Sequence, residues 1–227
     1  MGEMVSYASN GGTSEGYLAA SVAGTGPGVI VIQEWWGLVP HIKEVVERFA
    51  AAGFTALAPD LYHGVQTTEP DEAGKLIMGL AMDQAAKDIA GAAAYLAGRG
   101  EVTGKIGTVG FCAGGSLALW SATLSDRIAA AVGFYPAMPW ERMSPEWNNY
   151  GGKAALIHCS EGDGTSQAPG IQQAKTAIEA AGGKVTTHDY PGTHHAFFND
   201  DRPEVYDRRA AATAWARTLE LFRTRLA

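Results

Sequence analysis

The chain has 227 residues, 46% of them hydrophobic, and sets 17 basic against 24 acidic side chains for a formal net charge of -7. That length buries one substantial core, so a single domain over residues 1–227 is expected, and an acidic balance with no basic block argues against nucleic acid as a partner. The apolar runs fall far below the roughly 18 residues of a membrane span, and Met1-Gly2-Glu3-Met4 lacks the charged and apolar regions of a signal sequence, so no membrane role is expected.

Strand-like segments alternate with helix-like ones, which predicts an α/β fold: a mainly parallel central sheet with helices on both faces and no separate cap domain. Met4 to Ala23 reads as a short antiparallel start turning at Asn10-Gly11-Gly12. Val29 to Gln33 follows as a buried strand, Pro40 to Ala52 as a helix ended by Gly53, and Phe54 to Ala58 as a strand. Pro70 to Gly98 is helical with a break at Gly79. Lys105 to Val109 is a strand that passes through a turn into a helical stretch from Ser116 to Ala122. Ala129 to Tyr135 and Ala154 to Cys159 add strands, Ala168 to Ala181 a helix, Lys184 to Tyr190 a strand, and Pro203 to Leu226 the closing helix. Pro136 to Tyr150, with Met138, Trp140, Met143 and Trp147, is too short and irregular for a lid. It either shapes the mouth of a pocket or packs as a surface loop.

The turn Gly110-Phe111-Cys112-Ala113-Gly114-Gly115 carries the chemistry. Strand, sharp turn and helix with the spacing Gly-x-Cys-x-Gly make a nucleophile elbow, with a thiol where a hydroxyl is usual. The glycines flank a strained backbone where neighbouring β-carbons would collide with the adjoining strand and helix. The helix that follows offers a positive dipole end, which favours thiolate over a thiol of ordinary pKa about 8.5. The plain alternative is a buried structural cysteine in a glycine-containing turn. A catalytic thiol needs a base, and the base an orienting group. Asp163 lies in the turn after Ala154 to Cys159, and His195 on the loop after Lys184 to Tyr190, so Cys112, Asp163 and His195 fall at the ends of three strands in nucleophile, acid, histidine order. Glu161 is the rival acid and His194 the rival base.

Together with Val29-Ile30-Val31-Ile32-Gln33-Glu34-Trp35-Trp36-Gly37, Ala58-Pro59-Asp60-Leu61-Tyr62, Glu161-Gly162-Asp163 and His194-His195-Ala196-Phe197, this turn makes the chain resemble the dienelactone hydrolases of the α/β-hydrolase superfamily. The resemblance covers nearly the whole chain. It implies a Cys-His-Asp triad at Cys112, His195 and Asp163, an acyl-enzyme, and a small ester or lactone as substrate. It also implies that Glu34 accepts the Cys112 proton or holds the thiol at rest; a carboxylate at a strand end beside Trp35 and Trp36 fits a partly buried group with a raised pKa. The backbone N–H groups of Trp35 and Ala113 are the expected oxyanion donors, and Trp36, Tyr62, Tyr135 and Phe197 the expected pocket walls. No cofactor and no metal are expected.

Two features depart from the family. Where the resemblance implies arginines that clamp a substrate carboxylate, this chain has Gly64 and Asn199, and Arg202 substitutes only if its loop bends differently. Neutral substrates are therefore expected to be preferred. Two cysteines, Cys112 and Cys159, make no disulfide framework, which points to a reducing cytoplasm. A monomer or small homo-oligomer is expected. The rival classes are a ligand-binding homologue without catalysis and a redox-active thiol, which needs neither the downstream acid nor the histidine.

Overall fold

A computed structural model describes residues 1–9 and 11–227; Asn10 of the expected first turn lies outside the described residues. One eight-stranded sheet runs in the order β1-β2-β4-β3-β5-β6-β7-β8. Its strands are β1 (Glu3–Ser9), β2 (Gly12–Ala19), β3 (Gly26–Ile32), β4 (Thr55–Pro59), β5 (Val102–Phe111), β6 (Ile128–Phe134), β7 (Ala154–Ser160) and β8 (Lys184–Tyr190). β1 and β2 are the antiparallel start, β2 joins β4 antiparallel, and from β4 to β8 every pairing is parallel.

The apolar run of β3 is buried on both sides, as a strand inside a parallel sheet requires. With a side-chain period of two, Val29 and Val31 enter the core beneath α1 (Pro40–Ala51) and α6 (Arg208–Leu226). Ile30 and Ile32 enter the opposite core, which packs against α3 (Met82–Ala97), α4 (Ala113–Leu124) and α5 (Pro169–Ala180). α4 is apolar all round and buried along nearly its whole length, the pattern of a helix wedged within a core.

The predicted break at Gly79 separates α2 (Pro70–Gly79) from α3. Arg142 closes the end of α2, its guanidinium donating to the carbonyls of Ile77 (2.8 Å), Met78 (3.1 Å) and Leu80 (3.2 Å). The rest of the Pro136 to Tyr150 segment packs as a loop. Met138, Trp140, Met143 and Tyr150 are buried, Trp140 Nε1 donates to the Gly170 carbonyl at 2.6 Å, and the Tyr150 hydroxyl donates to the Leu119 carbonyl at 2.7 Å.

Two helix boundaries differ from expectation. The closing helix starts at Arg208 rather than at Pro203, because the Asp207 carboxylate caps the Ala210 N–H at 2.8 Å, while the preceding residues turn back on Arg202 and Phe197. α4 starts three residues before Ser116, at Ala113, so the glycine pair lies inside the helix. No helix among the described residues is long and apolar enough to cross a membrane.

Candidate active site

The sheet order reverses between β3 and β5, and the crevice at the carboxyl ends of strands at such a switch point is where parallel sheets bind ligands. Glu34 follows β3 there and Cys112 follows β5. Cys112 is held at φ 54° and ψ -123°, a conformation that costs a non-glycine residue of order 1–3 kcal/mol. Its N–H donates to the Phe134 carbonyl at 3.0 Å, and its carbonyl accepts from Gly115 at 3.0 Å and Ala137 at 3.2 Å, so neighbours on both sides fix the turn. The flanking glycines are sterically obligatory. A β-carbon on Gly110 would strike the Gly114 carbonyl, and one on Gly114 would strike the carbonyls of Ile32 and Gln33.

β7 and β8 deliver the other two members. His195 Nδ1 lies 2.6 Å from Asp163 Oδ2, and because a carboxylate only accepts, Nδ1 carries the proton and leaves Nε2 free. The Ser160 hydroxyl donates to the same carboxylate oxygen. Tyr135, at φ 39° after β6, lays its ring against the imidazole with centroids 4.8 Å apart. The rivals are engaged elsewhere. Glu161 accepts the Gly192 N–H at 2.7 Å and so clips the loop, and exposed His194 folds over Gly162. Asp163→Asn should therefore lower kcat for p-nitrophenyl acetate by at least about 100-fold, whereas Glu161→Gln should stay within about twofold of wild type. Equal, near-wild-type rates would discard both assignments.

Glu34 is 3% exposed, and its Oε2 accepts from Asn199 Nδ2 at 3.1 Å. Burial pushes its carboxyl from an ordinary 4.5 up to about 7, against the pull of Asn199 and of the Arg202 cation. Cys112 is half-buried and makes no side-chain hydrogen bond to His195 or Glu34 among the described residues. Burial first, and then the Glu34 carboxylate, push its thiol from about 9 up to about 12, while the Ala113 N–H works in the opposite direction. The helix end thus acts in the expected direction, through the Ala113 N–H, and at rest burial and the Glu34 carboxylate outweigh it.

Trp35 and Trp36 are half-buried and meet edge to face at 4.8 Å. Trp36 borders a cleft of about 770 Å³ that His41, Gln66, Thr67, Asn199 and Arg202 also line. The cleft does not contain Cys112; it meets the site through Asn199, which holds Glu34. Tyr62 is buried with its hydroxyl unpartnered, close enough to Cys112 for a thiolate there to oppose its ionisation. Phe197, expected as a pocket wall, is instead fully buried, packed on Tyr190 at 4.9 Å and Tyr135 at 5.4 Å, so it supports the site from below. The loop after β8 carries Arg202 close enough to act on Glu34, Cys112 and Tyr135. Its Nε is paired to Glu204 Oε1 at 3.0 Å.

The model of the dienelactone hydrolase family matches residues 14–226. The chain belongs to that family. Membership makes it a carboxylic ester hydrolase. It is 36% identical to Protein usf of Aquifex pyrophilus over 98% of both chains. It is 28% identical to carboxymethylenebutenolidase 1 of Cupriavidus pinatubonensis (strain JMP 134 / LMG 1197), across 93% of this chain and 92% of that one. A dienelactone hydrolase-like promiscuous phosphotriesterase from metagenomic libraries shares the fold, with a TM-score of 0.86 at 22% identity over 100% of this chain and 99% of that one. Within this family member, the partners of the named residues are what sequence reasoning missed. Asn199 stood out only as a missing arginine, and nothing in the spacing linked it to Glu34, 165 residues away.

Proposed function

We propose that the chain hydrolyses small esters or lactones through Cys112, His195 and Asp163 by way of an acyl-enzyme. The observation that carries this reading is the 2.6 Å Asp163–His195 hydrogen bond at the carboxyl end of the sheet, where a strained turn presents Cys112. The working form has the Cys112 proton on Glu34 and His195 as imidazolium, which the Asp163 carboxylate stabilises. The thiolate attacks the ester carbonyl carbon. The N–H groups of Trp35 and Ala113 receive the oxyanion, each such donor being worth on the order of 3 kcal/mol in comparable sites. Collapse breaks the bond to the leaving oxygen, which takes its proton from His195 Nε2, and a thioester remains on Cys112. Neutral His195 then draws a proton from water. The hydroxide attacks the thioester, and the second collapse releases the carboxylic acid and restores the thiolate. A redox role fits poorly, because a sensor thiol needs neither the acid nor the histidine that pair here, and Cys112 is half-buried rather than open to oxidant.

Specificity follows from the charges around the cleft. Arg202 lines the cleft beside Asp201 and its Nε is committed to Glu204, so a substrate carboxylate there meets acidic neighbours and a guanidinium that is already partly paired. A neutral small ester should give a kcat/KM at least about tenfold above that of dienelactone, a difference of only ~1.4 kcal/mol. Arg202→Ala should change that ratio by less than about twofold. Efficient dienelactone turnover that collapses in the Arg202 variant would overturn the preference. Absence of turnover for every ester and lactone tested would overturn the hydrolase reading itself.

A further inference from the structure

One side chain beside the candidate base is fixed at both ends. Asn199 is 3% exposed; its Oδ1 accepts the Asp201 N–H at 3.1 Å and its Nδ2 donates to Glu34 Oε2 at 3.1 Å. Its backbone is held as well, N–H to the Ala196 carbonyl at 2.9 Å and carbonyl from the Arg202 N–H at 3.1 Å. The orientation of the amide is forced. A backbone N–H can only donate, so the atom facing Asp201 is the oxygen, and the NH2 must face Glu34. An NH2 group cannot accept a hydrogen bond. The carbonyl oxygen of a carboxylic acid is its better acceptor, so with Nδ2 donating to Oε2 the proton of a protonated Glu34 is favoured on Oε1. Three ionisable groups act with it from the surrounding elements: Cys112 from the turn after β5, Tyr135 from the end of β6, and Arg202 from the loop of Asn199 itself.

We propose that Asn199 is a positioning residue for the hydrolysis: it holds Oε2, so that the exchangeable proton of Glu34 is directed to Oε1, the oxygen left for Cys112. Its lack of charge is part of the role. A cation in contact with Oε2 would fix Glu34 as a carboxylate and weaken it as a proton acceptor. A bare apolar side chain would leave both oxygens open to the proton. This rests on the cysteine-hydrolase reading above.

The test is the pH dependence of kcat/KM for p-nitrophenyl acetate in Asn199→Asp and Asn199→Ala, with melting curves to establish folding. Asn199→Asp is isosteric and keeps an acceptor for Asp201, but it sets a second carboxyl against Oε2. The two carboxyls then share a proton away from Oε1. Its acid limb should move up by about one pH unit or more, a loss of about tenfold near pH 6 that recovers on the alkaline side. Asn199→Ala removes a donor that favours the charged form and should move the limb the same way by a smaller step. A residue that only braced the loop would alter KM, kcat at all pH values or the melting temperature and leave the limb in place. Unmoved limbs, or limbs moved to lower pH, in folded variants overturn the proposal. Turnover that survives Cys112→Ala overturns instead the reading on which it rests.

Discussion

Replacing Cys112 by alanine should lower kcat for p-nitrophenyl acetate by about 10⁴-fold or more while the far-UV circular dichroism and melting curve stay as in wild type. The large loss follows from removing the atom that forms the acyl bond, after which only the oxyanion donors and substrate binding remain to assist water. The small structural effect follows from the turn itself. Its hydrogen bonds run through the Cys112 backbone, and the conformation is imposed by Gly110, Gly114 and the Phe134 carbonyl rather than by the sulfur. Alanine tolerates φ 54° no worse than cysteine does, because both carry a β-carbon. Acid-quenched wild type should carry the acetyl group on the peptide containing Cys112, and the variant should carry none. Retained turnover in the variant would end the covalent mechanism.

Glu34→Gln should stabilise the protein at pH 8 and leave its stability unchanged at pH 4. The folded-state carboxyl titrates at about 7 against an ordinary 4.5, so the folded chain binds more protons than the unfolded one between those values. A group raised in this way favours folding fully below the unfolded value, and that contribution is lost as the pH rises through the folded one. Above about pH 7 wild type therefore bears a buried carboxylate that glutamine does not, a difference of about 3 kcal/mol at 1.36 kcal/mol per unit. For a chain of this size, that corresponds to a gain in melting temperature on the order of 5–10 °C. Ester turnover should fall at the same time, since glutamine cannot take the Cys112 proton. A melting difference that does not vary between pH 4 and pH 8 would show that burial does not govern Glu34.

The strands and most helices were legible in the sequence because their signals are local. Apolar runs such as Val29 to Ile32, the glycine that ends α1 and the break at Gly79 each act within a few residues. The elbow was legible because Gly110 and Gly114 answer a steric demand that admits almost no other residue. The preference for Asp163 over Glu161 rests in the sequence on loop position alone, and the fold supports it by setting Asp163 against His195 and Glu161 against the Gly192 N–H. Phe197 was misplaced because an aromatic after a histidine reads equally as wall or as core, and burial alone separates the two. The state of the Cys112 thiol was only partly legible for a related reason. The helix end is visible in the sequence, whereas the burial that outweighs it comes from the packed fold and the Glu34 carboxylate from the turn after β3, some 80 residues earlier. The start of α6 was missed because Pro203 suits a first helical turn, yet Asp207 provides the capping carboxylate.

Because the sheet order places β3 beside β5 and sends β7 and β8 to the far end, the site draws on four stretches of chain that meet only after the parallel pairings from β3 through to β8 are made. Neither an N-terminal half ending at β5 nor a C-terminal half starting at β6 contains both Cys112 and His195. In a refolding chain, secondary structure and core burial can return while β8 is still unattached, and catalysis cannot. Recovered activity is thus a clock for the last strand to dock, and long-range parallel pairings of this kind are the slow ones.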